Sequence, residues 1–221
     1  LFRHFMCGMR RRSWNFTRVM GGEDWKLWME ALSEADVLSE NAVTVAYSYI
    51  GSELTYPIYF EGTIGAAKKD LHKTADDITE ALKDKGVKAY ISVNKGLVTQ
   101  ASAAIPIVPL YMSLLYKVMK EKDLHEGCIE QMERLFEEKK LLTDAQTDEN
   151  GWIRLDDWEL RDEVQDEVKR RWEVVDTDNI QEYGDIEGYW DDFYQMFGFR
   201  EEGVDYDADV DPAVVIPSLE A

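Results

Sequence analysis

Residues 42–50, AVTVAYSYI, end at Gly51, and residues 87–93, VKAYISV, follow Gly86 directly and end at Asn94-Lys95-Gly96. Both runs are rich in Val, Ile and Tyr and bounded by turn residues, which is how strands read. Neither alternates apolar with polar, as expected of strands covered by helices on both faces. Between them, residues 64–84 carry a helical period, and Gly86 stands where a left-handed residue closes a helix. After the second strand a run of small residues, LVTQASAAIP (97–106), leads into an apolar helix predicted over 107–122. Strand–helix–strand–helix with tight turns predicts a parallel α/β sheet.

The flanks add helices. Residues 23–35 place Trp25, Trp28, Leu32 and Ala35 at helical spacing. Residues 125–140 read as amphipathic, with Ile129, Met132, Leu135 and Phe136 on the apolar stripe. Asp156 or Asp157 is expected to cap a helix running to Val174, and residues 185–197 form a last, aromatic-rich helix. The tail from Gly198 is acidic and irregular.

Composition narrows the function. The 221 residues, 45% hydrophobic and 12% aromatic, suffice for a sizeable core. A net charge of −20 argues against nucleic acid and anionic membrane surfaces as partners. Two cysteines, Cys7 and Cys128, make neither a disulfide framework nor a zinc pattern and suit a reducing compartment. The three histidines, His4, His72 and His125, are scattered. No apolar run reaches the ~18 residues of a membrane span, so no membrane insertion is expected. Residues 1–18, LFRHFMCGMRRRSWNFTR, are basic and read as a targeting peptide or a sequence boundary, outside the fold.

The chemistry concentrates in residues 47–70, YSYIGSELTYPIYFEGTIGAAKKD. It follows the first strand, and ligands of parallel sheets bind beyond the carboxyl ends of strands. Tyr49, Tyr56, Tyr59 and Lys68 therefore fall where a site is expected. A phenol titrates near ~10 and is a poor acid at neutral pH. A nearby ammonium favours its phenolate, and the pair could polarise a carbonyl and hold a forming enolate. Tyr59 and Lys68 are nine positions apart, which places them on nearly opposite faces of a continuous helix at about 100° per residue. They converge only if the chain breaks between them. Gly62 and Gly65 permit that, so the regular helix is predicted to begin at Thr63 or Ile64.

One motif invites a rival reading. Residues 146–157, QTDENGWIRLDD, partly match a calcium loop, but Gln146 and Asp157 stand where Asp and Glu are wanted. An Asn-Gly turn is the simpler expectation. The alternative function built on it is a non-catalytic helical module binding calcium or a partner.

Several stretches together, TVAYSYIGSELTYPIYFEGTIGAAKKDL, SVNKGLVTQASAAIPIVPLYMSLLYKVMKEK, IRLDDWELR and FGFREEGVDYDADVDP, resemble the trans-2-enoyl-CoA reductase family, which includes the V-type enoyl-acyl-carrier-protein reductases. The resemblance runs from about Val19, leaving residues 1–18 unmatched, and assigns 19–221 to a C-terminal catalytic and substrate-binding half. It implies the C-terminal half of a Rossmann-type, short-chain-reductase-like parallel sheet with additional helices. It also implies an NADH-dependent reduction, NADPH remaining open, of the 2,3 double bond of enoyl-CoA or enoyl-ACP in fatty acid synthesis, by a monomer in the cytoplasm, or in an organelle if the parent is eukaryotic. Tyr59 would be the catalytic donor, and Lys68 would tune it and bind the nicotinamide ribose. Tyr49 would contact the acyl thioester, and Leu97, Val98 and Thr99 the cofactor. Family members are about twice as long, and no G-x-G-x-x-G occurs in these residues. The expectation is weak cofactor binding and no turnover by this chain alone.

Overall fold

The structure, a computed structural model, describes residues 16–211 and 213. His4, Cys7 and most of the basic segment lie outside the described residues. Three strands, β1 (Val43–Ser48), β2 (Lys88–Val93) and β3 (Trp152–Arg154), form one parallel sheet in the order β1-β2-β3. Val43 pairs with Lys88 through to Ser48 with Val93, and Ile91 with Trp152 through to Val93 with Arg154. Helix α1 (Glu23–Glu34) precedes the sheet. A single turn, α2 (Tyr56–Tyr59), and the long α3 (Thr63–Ala81) cross from β1 to β2. Gly86, at φ +69°, supplies the left-handed residue that reverses the chain into β2. The parallel α/β architecture expected from the sequence is present.

Helices α4 (Gln100–Ala103), α5 (Val108–Glu121) and α6 (Cys128–Glu137) follow β2, and α7 (Asp162–Val174), α8 (Ile180–Tyr183) and α9 (Ile186–Gln195) follow β3. One apolar layer joins Met29 of α1 and Ala75 and Ile78 of α3 to Ala89, Ile91 and Val93 of β2. The opposite face packs Leu135, Leu141, Ile153 and Leu155 against Val43 and Val45. The largest cluster is built on α5, whose Tyr111, Leu114, Leu115 and Tyr116 are fully buried against Val164 and Val168 of α7. Each such side chain contributes about 1.5–3 kcal/mol of burial. Among the described residues no helix is long and apolar enough to cross a membrane.

Three expectations need correction. β2 is covered on both faces, but β1 lies at the sheet edge, and Tyr47 remains 54% exposed. On α6 the predicted stripe is displaced: Ile129 and Phe136 are exposed, while Gln131, Arg134 and Leu135 are buried. Arg134 draws that face inward by stacking 4.0 Å from the Trp158 ring and donating to the Leu155 carbonyl at 2.8 Å. Neither Asp156 nor Asp157 caps α7, which begins after Arg161. Asp156 is paired with Arg154, and Asp157 with Arg134 and Lys139.

Candidate active site

Beyond the carboxyl ends of β1 and β2 lies a cavity of about 430 Å³ whose lining includes Tyr49, Tyr59, Lys68, Leu97, Thr99 and Met112. The predicted break creates it. Helix α2 stops at Tyr59, the chain turns through 60–62, and α3 starts at Thr63. Gly65 makes the turn possible, because a Cβ there would sit 2.0 Å from the Phe60 carbonyl oxygen. Tyr59 and Lys68 thus line one cavity although they are nine positions apart. Tyr56 is not part of the lining and packs on Phe60 at 5.3 Å.

Tyr59 is buried and meets Tyr49 edge-on, with ring centroids 4.8 Å apart. Its hydroxyl makes no hydrogen bond among the described residues. The expected acidification by Lys68 is not found: burial first, and then the Glu159 charge, push the phenol up. The reason is geometric, since Lys68 Nζ reaches the Ser48 hydroxyl, at 3.5 Å, rather than Tyr59. Burial lowers Lys68 from 10.5 to about 8. Ser48 Oγ also hydrogen-bonds His72 Nε2 at 3.1 Å, and the His72 ring packs 4.3 Å from Trp152. Burial, and then Lys68, lower His72 to about 4, which keeps it neutral. The position of His72, one helical turn after Lys68, was the sequence signal for this contact.

The loop after β2 is held from several sides. Leu97 and Thr99 line the cavity. Val98 does not: its side chain joins the core, and its amide donates to Tyr116 Oη at 3.2 Å. Thr99 and Ser102 form a reciprocal cap on α4. Lys95 is buried at the base of the loop, and its ammonium donates to the Gly96 and Glu126 carbonyls at 3.0 and 3.1 Å. Phe16 and Met20 also line the cavity, so the segment 1–18, expected to lie outside the fold, contributes to it through Phe16. Glu159, which spacing gave no reason to single out, is fully buried and accepts from Tyr49 Oη, Tyr111 Oη and the Gly96 amide.

Residues 146–157 form the Asn-Gly turn, with Gly151 at φ +78°. The Asp148 carboxylate accepts from the Asn150 and Trp152 amides and from Arg154. Among the described residues no three His, Cys, Asp or Glu side chains gather to hold a metal ion.

Comparison with known proteins places this geometry. Residues 11–141 match the model described as the trans-2-enoyl-CoA reductase catalytic region. The chain belongs to the trans-2-enoyl-CoA reductase family. The match begins ahead of Val19, where the resemblance read from the sequence starts. An NADH trans-2-enoyl-CoA reductase of Ruminiclostridium cellulolyticum is 55% identical over 201 residues, covering 91% of this chain and 51% of that protein. An NADH enoyl-acyl-carrier-protein reductase of Flavobacterium psychrophilum is 52% identical, covering 93% and 52%. The crystal structure of the Clostridium acetobutulicum trans-2-enoyl-CoA reductase with NAD superposes with a TM-score of 0.84 at 53% identity, over 88% of this chain and 51% of that one. The chain spans about half the length of the curated relatives it matches.

Residues 147–210 match a model described as an enoyl reductase FAD binding domain. Two hollows among the described residues are candidates for a flavin dinucleotide, and neither fits one within that segment. The 430 Å³ cavity takes its lining from residues 16–112, outside that segment. A second hollow, about 380 Å³, touches the segment only at Trp158, and five glutamates, Glu126, Glu130, Glu133, Glu137 and Glu138, outnumber Arg134 and His125 in its lining, which disfavours a pyrophosphate.

Proposed function

We propose that this chain carries the substrate side of an NADH-dependent reductase acting on the 2,3 double bond of trans-2-enoyl thioesters. The observation that carries the reading is the convergence of Tyr59, with an uncommitted hydroxyl, and Lys68, with a half-buried and nearly unsatisfied ammonium, on one cavity at the strand ends. Lys68 and the backbone from Leu97 to Thr99 would hold the nicotinamide ribose end of the dinucleotide. When bound, the reduced nicotinamide supplies a hydride to the β-carbon. Tyr59, kept protonated by burial, donates a hydrogen bond to the thioester carbonyl as negative charge grows on its oxygen, and the resulting enolate then takes up a proton at its α-carbon to give the saturated thioester. Tyr49 packs against Tyr59 and positions the acyl thioester. The mostly apolar wall, with Ile64, Ile105 and Met112, suits an acyl chain and excludes water.

The substrate is enoyl-CoA or enoyl-ACP, the reduction serves fatty acid synthesis, and the working unit is a monomer. NADPH in place of NADH is an outcome of the assay below. The exposed, unpaired Cys128 suits a reducing compartment such as the cytoplasm.

The test is NADH-dependent reduction of crotonyl-CoA by this chain, alone and joined to the half of the Ruminiclostridium relative that it does not match. We expect no turnover alone and turnover when joined, with Tyr59→Phe lowering kcat by about 10²–10³-fold. A joined protein that folds, binds both ligands and is unaffected by Tyr59→Phe would overturn the reading.

A further inference from the structure

Glu159 is fully buried, yet donors from three separate parts of the fold reach its carboxylate. Tyr49, just beyond β1, donates to Oε1 at 2.9 Å, and Tyr111, on α5, donates to the same oxygen at 2.7 Å. The Gly96 amide, just beyond β2, donates to Oε2 at 2.6 Å. Gln165 holds the carboxylate's own backbone, donating to the Glu159 carbonyl at 2.7 Å and to Tyr111 Oη at 3.3 Å. Lys95 grips the other side of Gly96 through its carbonyl. Three donors call for three acceptors, which a carboxylate has and an amide lacks.

A phenol has one proton. That of Tyr49 is committed to Glu159, so Tyr49 can accept a hydrogen bond from a ligand but cannot donate one. The neighbouring Tyr59 has its proton free. We propose that Glu159 is a positioning residue that divides the work of the two tyrosines that meet edge-on, holding the Tyr49 proton away from the bound thioester so that Tyr59 alone donates, and anchoring Gly96 at the head of the cofactor-facing loop on the same carboxylate. The roles of the tyrosines rest on the reductase reading; the arrangement of protons does not. Glu159 belongs to the segment matched by the FAD-binding model, so that segment serves the cavity through a carboxylate.

The experiment is proton NMR of the 221-residue chain as wild type, Tyr49→Phe, Tyr111→Phe and Glu159→Leu, with calorimetric titration of crotonyl-CoA. We expect two slowly exchanging low-field hydroxyl resonances in the wild type. Each tyrosine variant removes one, and Glu159→Leu, which offers no acceptor to either phenol, removes both and weakens thioester binding about tenfold. A folded wild type with no resonance that depends on Tyr49, or a Glu159→Leu chain that keeps that resonance, overturns the proposal. Should Glu159→Leu fail to fold, the tyrosine variants still decide it. The resonances need neither thioester nor dinucleotide, so absence of crotonyl-CoA binding would count against the reductase reading and leave this one to the spectra.

Discussion

Arg134 and Lys68 are both cations drawn into the protein, and their surroundings differ in kind. Arg134 is 8% exposed and meets Glu126 at 2.9 Å, Asp157 at 2.9 Å, the Leu155 carbonyl at 2.8 Å and the face of Trp158. Lys68 makes no ion pair among the described residues, and its one hydrogen bond is the 3.5 Å contact to Ser48. Burying a charge without partners is costly, so proteins seldom leave one so placed. The Arg134 network surrounds the cation with opposite charge on two sides, although Arg134 Nη1 and Glu126 Oε1 find no hydrogen-bond partner among the described residues, and it holds α6 to the chain after β3. Lys68 faces a cavity with its hydrogen-bonding capacity mostly unused, which is the condition of a group that waits for a ligand.

Removing a member of the Arg134 ion-pair network should give the largest loss. Arg134→Ala leaves Glu126 and Asp157 without a main partner and is expected to cost about 3–5 kcal/mol in denaturant unfolding. A loss below about 1 kcal/mol would mean that the network contributes little, and the contrast with Lys68 would collapse.

Lys68→Met should act in the opposite direction. Burial lowers the Lys68 pKa in the folded chain from 10.5 to about 8. The unfolded chain therefore binds more protons between those values, and wild-type stability rises with pH across that window. Below pH 8 the full penalty is present, and Lys68→Met is expected to be more stable than wild type by up to about 3 kcal/mol. The gain should shrink as pH climbs from about 8 to 10.5. Denaturant midpoints for both proteins across this range check it, and a pH-independent difference would show that Lys68 is not held against its charge. Saturating dinucleotide should stabilise wild type over Lys68→Met if the ammonium is what the ligand engages.

How far these features could be read from the sequence differs from one to the next. The turn between Tyr59 and Lys68 was legible because nine positions on a regular helix forbid convergence, and Gly62 and Gly65 offered the only relief. The parallel pairing of β1 and β2 was legible from two apolar runs and a helical period. The buried face of α6 was not, because an arginine stacked on a distant tryptophan follows no apolar period. Glu159 was hidden for a related reason: its three donors are 110, 63 and 48 positions away. Tyr59 was assigned its place correctly and its electrostatics wrongly, since spacing shows which groups come near but not which way an ammonium points. The legible turn gives the next prediction. Gly65→Ala puts a Cβ 2.0 Å from the Phe60 carbonyl oxygen, and should cost about 1–3 kcal/mol. It should also weaken crotonyl-CoA binding, because relief of the clash must move α2 or α3, and with it Tyr59 or Lys68. Unchanged stability and binding would show that the turn does not depend on this glycine.

The smallest effect should come from a third cation, on the same helix as Lys68. Lys73 is paired with Asp77 at 3.6 Å, and their side chains are 77% and 43% exposed. Water already solvates both charges, the lysine lies N-terminal to the acid, which is the weaker order on a helix, and salt screens what attraction remains. Lys73→Ala is therefore expected to change stability by less than about 0.5 kcal/mol. Alanine's helix propensity offsets part even of that. The same denaturation experiment at low and high salt should return nearly the same value. A loss comparable to that of Arg134→Ala would mean that pairing rather than burial governs these cations, and the reading of Lys68 as a charge waiting for a partner would lose its physical basis.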